Sequence, residues 1–115
     1  MTVTLRGMPR ASLYWRARII LPEVGFLTAF VKRLSSTSVY LESKRSICMG
    51  TQVVVESSPA VINGVVTIRV PATIDSVVVL SNCSGYGLGL SFGKLTAKQF
   101  DAVNNCVRWQ AFVGM

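Results

Sequence analysis

Leu13-Tyr-Trp-Arg-Ala-Arg-Ile-Ile-Leu21 sets Arg16 and Arg18 in alternation with Trp15, Ala17 and Ile19. A period of two sends one set of side chains to a core and the other to water, which is a half-buried β-strand. Working outward, Pro22-Glu-Val-Gly25 reads as a turn, Phe26 to Ser35 as the returning strand and Val39–Glu42 as a third. Lys44–Gly50 is a basic, polar connection, and Thr51–Glu56 a fourth strand with Val53 and Val55 facing opposite to Val54. Ser57-Ser-Pro59 and Asn63-Gly64 are turn signals, the second suited to a hairpin. Val65–Val70, Ile74–Leu80 and Leu88–Phe92 supply further strands, broken by Pro71 and by Asn82-Cys-Ser-Gly85. Six or seven short strands with turns every ~8–12 residues predict an antiparallel barrel or sandwich.

The period changes near the end. Thr96 is placed as an N-cap, and Phe100, Val103, Val107 and Ala111 then recur at steps of three and four. A second stripe, Ala102, Cys106, Trp109 and Val113, flanks the first. So wide an apolar arc predicts a helix that closes the barrel, with Trp109 and Phe112 balanced between core and a second chain. With 115 residues the chain is one domain: a basic arm over 1–12, strands over 13–95 and the helix over 96–115.

Composition narrows the function. The net charge is +7, and eight of the basic residues fall before position 46 against Glu23 and Glu42 alone. Such asymmetry suits an anionic partner. There is no histidine, which removes the commonest general base and most zinc sites. Glu23, Glu42, Glu56, Asp75 and Asp101 are far apart along the chain, and no phosphate-cradling glycine loop precedes a helix. Gly85-Tyr-Gly87-Leu-Gly89 reads instead as strand curvature and tight packing. The expectation is no enzyme, no metal and no cofactor. Cys48, Cys83 and Cys106 are too widely spaced for a disulfide frame and read as small hydrophobic or half-buried thiols. No apolar run reaches the ~18–20 residues of a membrane span, so a cytoplasmic protein is expected.

Two segments carry binding chemistry. Arg6-Gly-Met-Pro-Arg10 places two guanidinium forks four residues apart on the arm, and Arg33-Leu-Ser35-Ser-Thr-Ser38 opens the hydrophobic strand Val39-Tyr-Leu41. Their order, the spacing of 23 residues from Arg10 to Arg33, and the ending Gly87-Leu-Gly89-Leu-Ser-Phe92 before a helix together resemble a PilZ domain. That resemblance implies a mainly β fold, a six-stranded antiparallel Greek-key barrel with a C-terminal α-helix, and cyclic di-GMP as ligand. It implies that Arg6 and Arg10 grip phosphates and the O6/N7 edge of guanine, with Ser35 hydrogen-bonding on the ligand side of the turn. The family's second motif has Asp or Asn where Arg33 stands and Gly where Ser38 stands. Arg33 has donors only and cannot accept from guanine N1 and N2, a loss of roughly 1–3 kcal/mol. Ser38 adds ~1 kcal/mol if the position keeps a positive φ. Together these imply an affinity about 30-fold to nearly 1,000-fold weaker.

Three functions compete. The first is a PilZ-like signalling adaptor that acts through protein contact, with nucleotide binding weakened and apolar surface exposed around Tyr14, Trp15, Tyr40 or the helix. The second is a fully competent cyclic di-GMP receptor. The third is a small basic barrel binding single-stranded nucleic acid, with Tyr14, Trp15 and Tyr40 stacking among Arg16, Arg18 and Arg33. A protein partner is expected, as a monomer or a dimer through the helix.

Overall fold

The computed structural model describes residues 15–58, 60, 61, 64, 65 and 67–113. Arg6, Arg10, Tyr14 and Asn63 lie outside the described residues, as do the side chains of Trp109, Ala111, Phe112 and Val113.

Six strands close into one barrel: β1 (Trp15–Leu21), β2 (Gly25–Leu34), β3 (Ser38–Ser43), β4 (Gln52–Ser57), β7 (Ile68–Val79) and β8 (Tyr86–Phe92). A small hairpin, β5 (Ala60–Val61) with β6 (Gly64–Val65), bridges β4 and β7 outside the barrel. Neighbours run β1-β2-β3-β8-β7-β4, and every pair is antiparallel. Because β4 returns to lie beside β1, the first four strands follow the spatial order 4-1-2-3 of a Greek key. Closure matters: a barrel leaves no edge at which another strand could pair.

Alternation does the sorting. Trp15, Ala17 and Ile19 point inward while Arg16 and Arg18 are exposed, and Val53 and Val55 are buried on β4. Ile19, Leu41 and Leu88 are completely buried at the centre. Ile47, from the connection after β3, joins this core and closes the end where β3 stops.

Pro71 does not break a strand. β7 runs straight through it, because residue orientation alternates along a ladder and the side of Pro71 that would carry its N–H faces away from β4. Its carbonyl accepts from Gly93 N–H at 2.8 Å, beyond the last β8 pair Ala72–Phe92. No ladder donor is therefore missing.

The C-terminal helix α1 (Ala97–Val113) packs on β7 and β2 and covers the other end. It starts with a reciprocal cap: Gln99 N–H donates to Thr96 Oγ1 at 3.2 Å, and Thr96 N–H donates to Gln99 Oε1 at 2.8 Å. Gln99 Nε2 also donates to the Arg69 carbonyl at 2.8 Å, which pins the first turn to β7. The core face takes Val103 and Val107 from the stripe beginning at Phe100 and Cys106 from the second stripe, while Phe100 itself stays outside. Phe100 is 49% exposed because its turn overhangs the barrel rim beside Ser36 and Thr37.

The cysteines also divide differently from the expectation. Cys106 is buried, and burial pushes its thiol up to about 11, whereas Cys48 and Cys83 are exposed. An aromatic disulfide reagent at neutral pH will modify Cys48 and Cys83 and spare Cys106 until denaturant is added; labelling of all three in the native protein would contradict this packing.

Candidate ligand-binding groove

Two bulges shape one outer face of the barrel. On β2 the register shifts between Val31, opposite Leu41, and Arg33, opposite Tyr40, so Lys32 is extra. Bulges re-aim side chains, and this one brings the Arg33 guanidinium over the Tyr40 ring, 5.3 Å from its centre. Lys32 Nζ lies 3.7 Å from Glu42, whereas no carboxylate pairs with Arg33 among the described residues.

The turn that follows is held by its own serines. Ser35 Oγ accepts the amide protons of Thr37 at 3.3 Å and Ser38 at 3.0 Å, and lies 2.9 Å from Ser38 Oγ. Ser35 N–H donates to the Ser38 carbonyl at 2.9 Å. The Ser35 hydroxyl is thus committed to the turn. Ser38 begins β3 with an ordinary backbone, since Glu23 and Cys83 are the described non-glycine residues with positive φ. The conformational cost expected at Ser38 does not arise.

Opposite this wall, β8 offers a floor without side chains. A Cβ on Gly87 would collide with the Tyr40 ring, and one on Gly89 with Ser76 Oγ. The Tyr40 ring therefore lies over Gly87. The second bulge falls on β7 between Ile74 and Ser76 and makes Asp75 the extra residue. Asp75 turns to the outside, where its Oδ2 accepts the hydroxyl proton of Ser91. The result is an open groove of about 800 Å³, walled by Arg33, Ser35, Ser38 and Tyr40 on one side and by Asp75, Ser76 and Ser91 on the other. Its size is that of a small-ligand site.

Of the residues picked from the sequence, Arg33, Ser35 and Ser38 come together on one wall. Asp75, Ser76 and Ser91 were not anticipated. Their trace in the sequence is the polar pair Asp75-Ser76 inside the apolar run Ile74 to Leu80, a phase break typical of a bulge.

Arg16 and Arg18 occupy a different face, on β1. Arg18 stacks on Phe26 with its guanidinium 5.0 Å from the ring centre, and Arg16 on Phe30 at 5.9 Å. Glu56 sits between Arg18 and Arg69, bonding the latter at 2.6 Å. Hydrogen bonds from Arg18 and then Arg69 hold its carboxyl below the usual carboxylate range. Trp15 is buried, so it neither stacks bases nor offers apolar surface to a partner, and the Tyr40 ring is engaged by Arg33 and Gly87. Among the described residues the exposed aromatics are Phe26, Phe30 and Phe100 instead.

No protein-family model and no curated protein sequence matches the chain. Solved structures do. The PilZ domain of YcgR from Escherichia coli, determined with c-di-GMP, superposes with a TM-score of 0.68 at 11% identity, covering 86% of this chain and 82% of that one. The fold is that of a PilZ domain. The Bacillus subtilis inhibitor of motility MotI/DgrA superposes with a TM-score of 0.71 at 13% identity over 86% of this chain; the chain spans 48% of that structure. Within this PilZ fold the groove opens beside the start of β1, where Trp15 pairs with Val31, two residues from Arg33. Among the described residues no helix is long and apolar enough to cross a membrane.

Proposed function

We propose that this chain is a non-enzymatic, cytoplasmic signalling domain of the cyclic di-GMP type, a small receptor or adaptor that acts on a protein partner. The observation that carries this reading is the groove, in which a guanidinium with no carboxylate partner among the described residues, an aromatic ring and several hydroxyls line the outside of a PilZ fold. The YcgR PilZ domain of the same fold was solved with c-di-GMP, which supports that ligand here. In this reading Arg6 and Arg10 close over the bound nucleotide and grip its phosphates. Trp15 lies five positions after Arg10, an extended reach of roughly 16–18 Å, ample for a groove that begins at the barrel rim.

Affinity follows from the wall residues. With Ser38 unstrained, the remaining departure is Arg33 in place of an acceptor, worth roughly 1–3 kcal/mol, or about 5- to 150-fold in affinity. Closure of the arm alters the surface presented to the partner. Phe26 and Phe30, exposed between arginines on the β1–β2 face, are the anchors such a partner would use. A nucleic-acid role loses Trp15 as a stacking residue, since it belongs to the core.

Calorimetric titration of the full chain with cyclic di-GMP tests this, alongside an Arg6→Ala/Arg10→Ala variant. Saturable binding in the micromolar to submillimolar range, lost in the double variant, is the expected result. Absence of binding up to about 1 mM ligand would overturn the nucleotide reading.

A further inference from the structure

The groove holds one carboxylate that the function above does not use. Asp75 projects from the β7 bulge with one oxygen accepting from Ser91 and the other taking no hydrogen bond among the described residues. The other described carboxylates are elsewhere: Glu42 faces Lys32, Glu56 is held by Arg18 and Arg69, Glu23 is in the β1–β2 turn and Asp101 is on α1. The groove therefore sets an acceptor-only group on one wall against the donor-only Arg33 on the other, with the Tyr40 ring and the Ser76 hydroxyl over Gly89 between.

That pairing matches one base. Guanine carries adjacent donors, N1–H and the N2 amino group, on one edge and the acceptors O6 and N7 on another. A carboxylate reads the first and a guanidinium the second. Adenine presents an acceptor at N1, which a carboxylate repels. We propose that Asp75 is the specificity-determining acceptor for a guanine base of the bound dinucleotide, supplying from β7 the group that Arg33 cannot provide from the β2–β3 turn. This rests on the nucleotide reading given above. It also makes the groove guanine-selective without the family's acidic motif position.

The full chain, Asp75→Ala, Asp75→Asn and Ser91→Ala are titrated with cyclic di-GMP and cyclic di-AMP, with a thermal melt of each to verify folding. The parent is expected to prefer the guanine ligand at least tenfold. Asp75→Ala should weaken cyclic di-GMP binding about 5- to 150-fold and leave cyclic di-AMP binding unchanged or improved. Asp75→Asn should narrow the preference, because an amide also pairs with adenine. Ser91→Ala removes the Asp75 hydrogen bond but not the acceptor, so it should keep the selectivity. If the parent binds cyclic di-GMP and Asp75→Ala binds it equally well, the assignment of Asp75 is wrong while the groove stands. Equal loss in Ser91→Ala and Asp75→Ala would reduce Asp75 to a structural role and also overturn it. A parent that binds neither ligand sinks the nucleotide reading itself.

Discussion

Leu88→Ala will melt roughly 12–17 °C below the parent. Leu88 is completely buried on β8, its neighbour across the ladder is the equally buried Leu41, and β8 lies between β3 and β7 in a closed sheet. Truncation removes the transfer free energy of the lost carbons and leaves a cavity that strands hydrogen-bonded on both sides cannot collapse to fill. Such sites cost about 3–4 kcal/mol, a large part of the 5–15 kcal/mol that holds a domain of this size together. For the 115 residues here, an unfolding entropy of about 2.1 cal/mol/K per residue converts that cost into the stated shift. Leu41→Ala should behave alike, and the double variant should lose less than the sum, because both truncations open the same void. Differential scanning calorimetry reads all three. A fall of under about 4 °C in Leu88→Ala would mean that the barrel interior yields far more readily than its packing implies.

The parts legible in the sequence were those governed by neighbours along the chain. Trp15-Arg-Ala-Arg-Ile19 sorted itself by alternation, Val53 and Val55 took the face opposite to Val54, and Thr96 made the expected cap at the helix start. The misreadings depended on what lies across the ladder or beyond the rim. Pro71 is harmless because of where β8 ends, and Phe100 is exposed because the barrel ends beneath its turn. The groove divides the same way. Arg33, Ser35 and Ser38 belong to one contiguous turn and could be seen together. Asp75 reaches them only through the pairings of β3 with β8 and β8 with β7, in which Ser91 lies opposite Ser38 on one side and Thr73 on the other. A carboxylate 42 residues from Arg33 in the chain becomes the facing wall only once the barrel closes.

Gly85→Ala is the second substitution with a large effect, and it acts through the backbone alone. Gly85 has φ +155°, and a Cβ placed there would stand 2.7 Å from the Ser43 carbonyl oxygen. That oxygen belongs to a strand end, not to a movable side chain. The glycine is fixed from the other side as well, since its carbonyl accepts from Leu80 N–H at 2.9 Å across the 3-10 turn Ser81–Cys83. Strain at a conformation open to glycine, added to a contact with main chain, amounts to about 2–3 kcal/mol, or roughly 8–12 °C in melting temperature. Gly50→Ala is the control: at φ +87° it meets the conformational penalty but nothing lies within 4 Å of the new methyl, so about 1 kcal/mol is expected. The two variants separate strain from collision. Gly85 also leads directly into β8, where Gly87 lies under the Tyr40 ring and Gly89 lines the groove, so relief by sliding β8 would displace Tyr40 and weaken nucleotide binding together with stability. If Gly85→Ala melts no lower than Gly50→Ala, the turn into β8 moves freely, and a groove that depends on its register would be no more rigid than the turn.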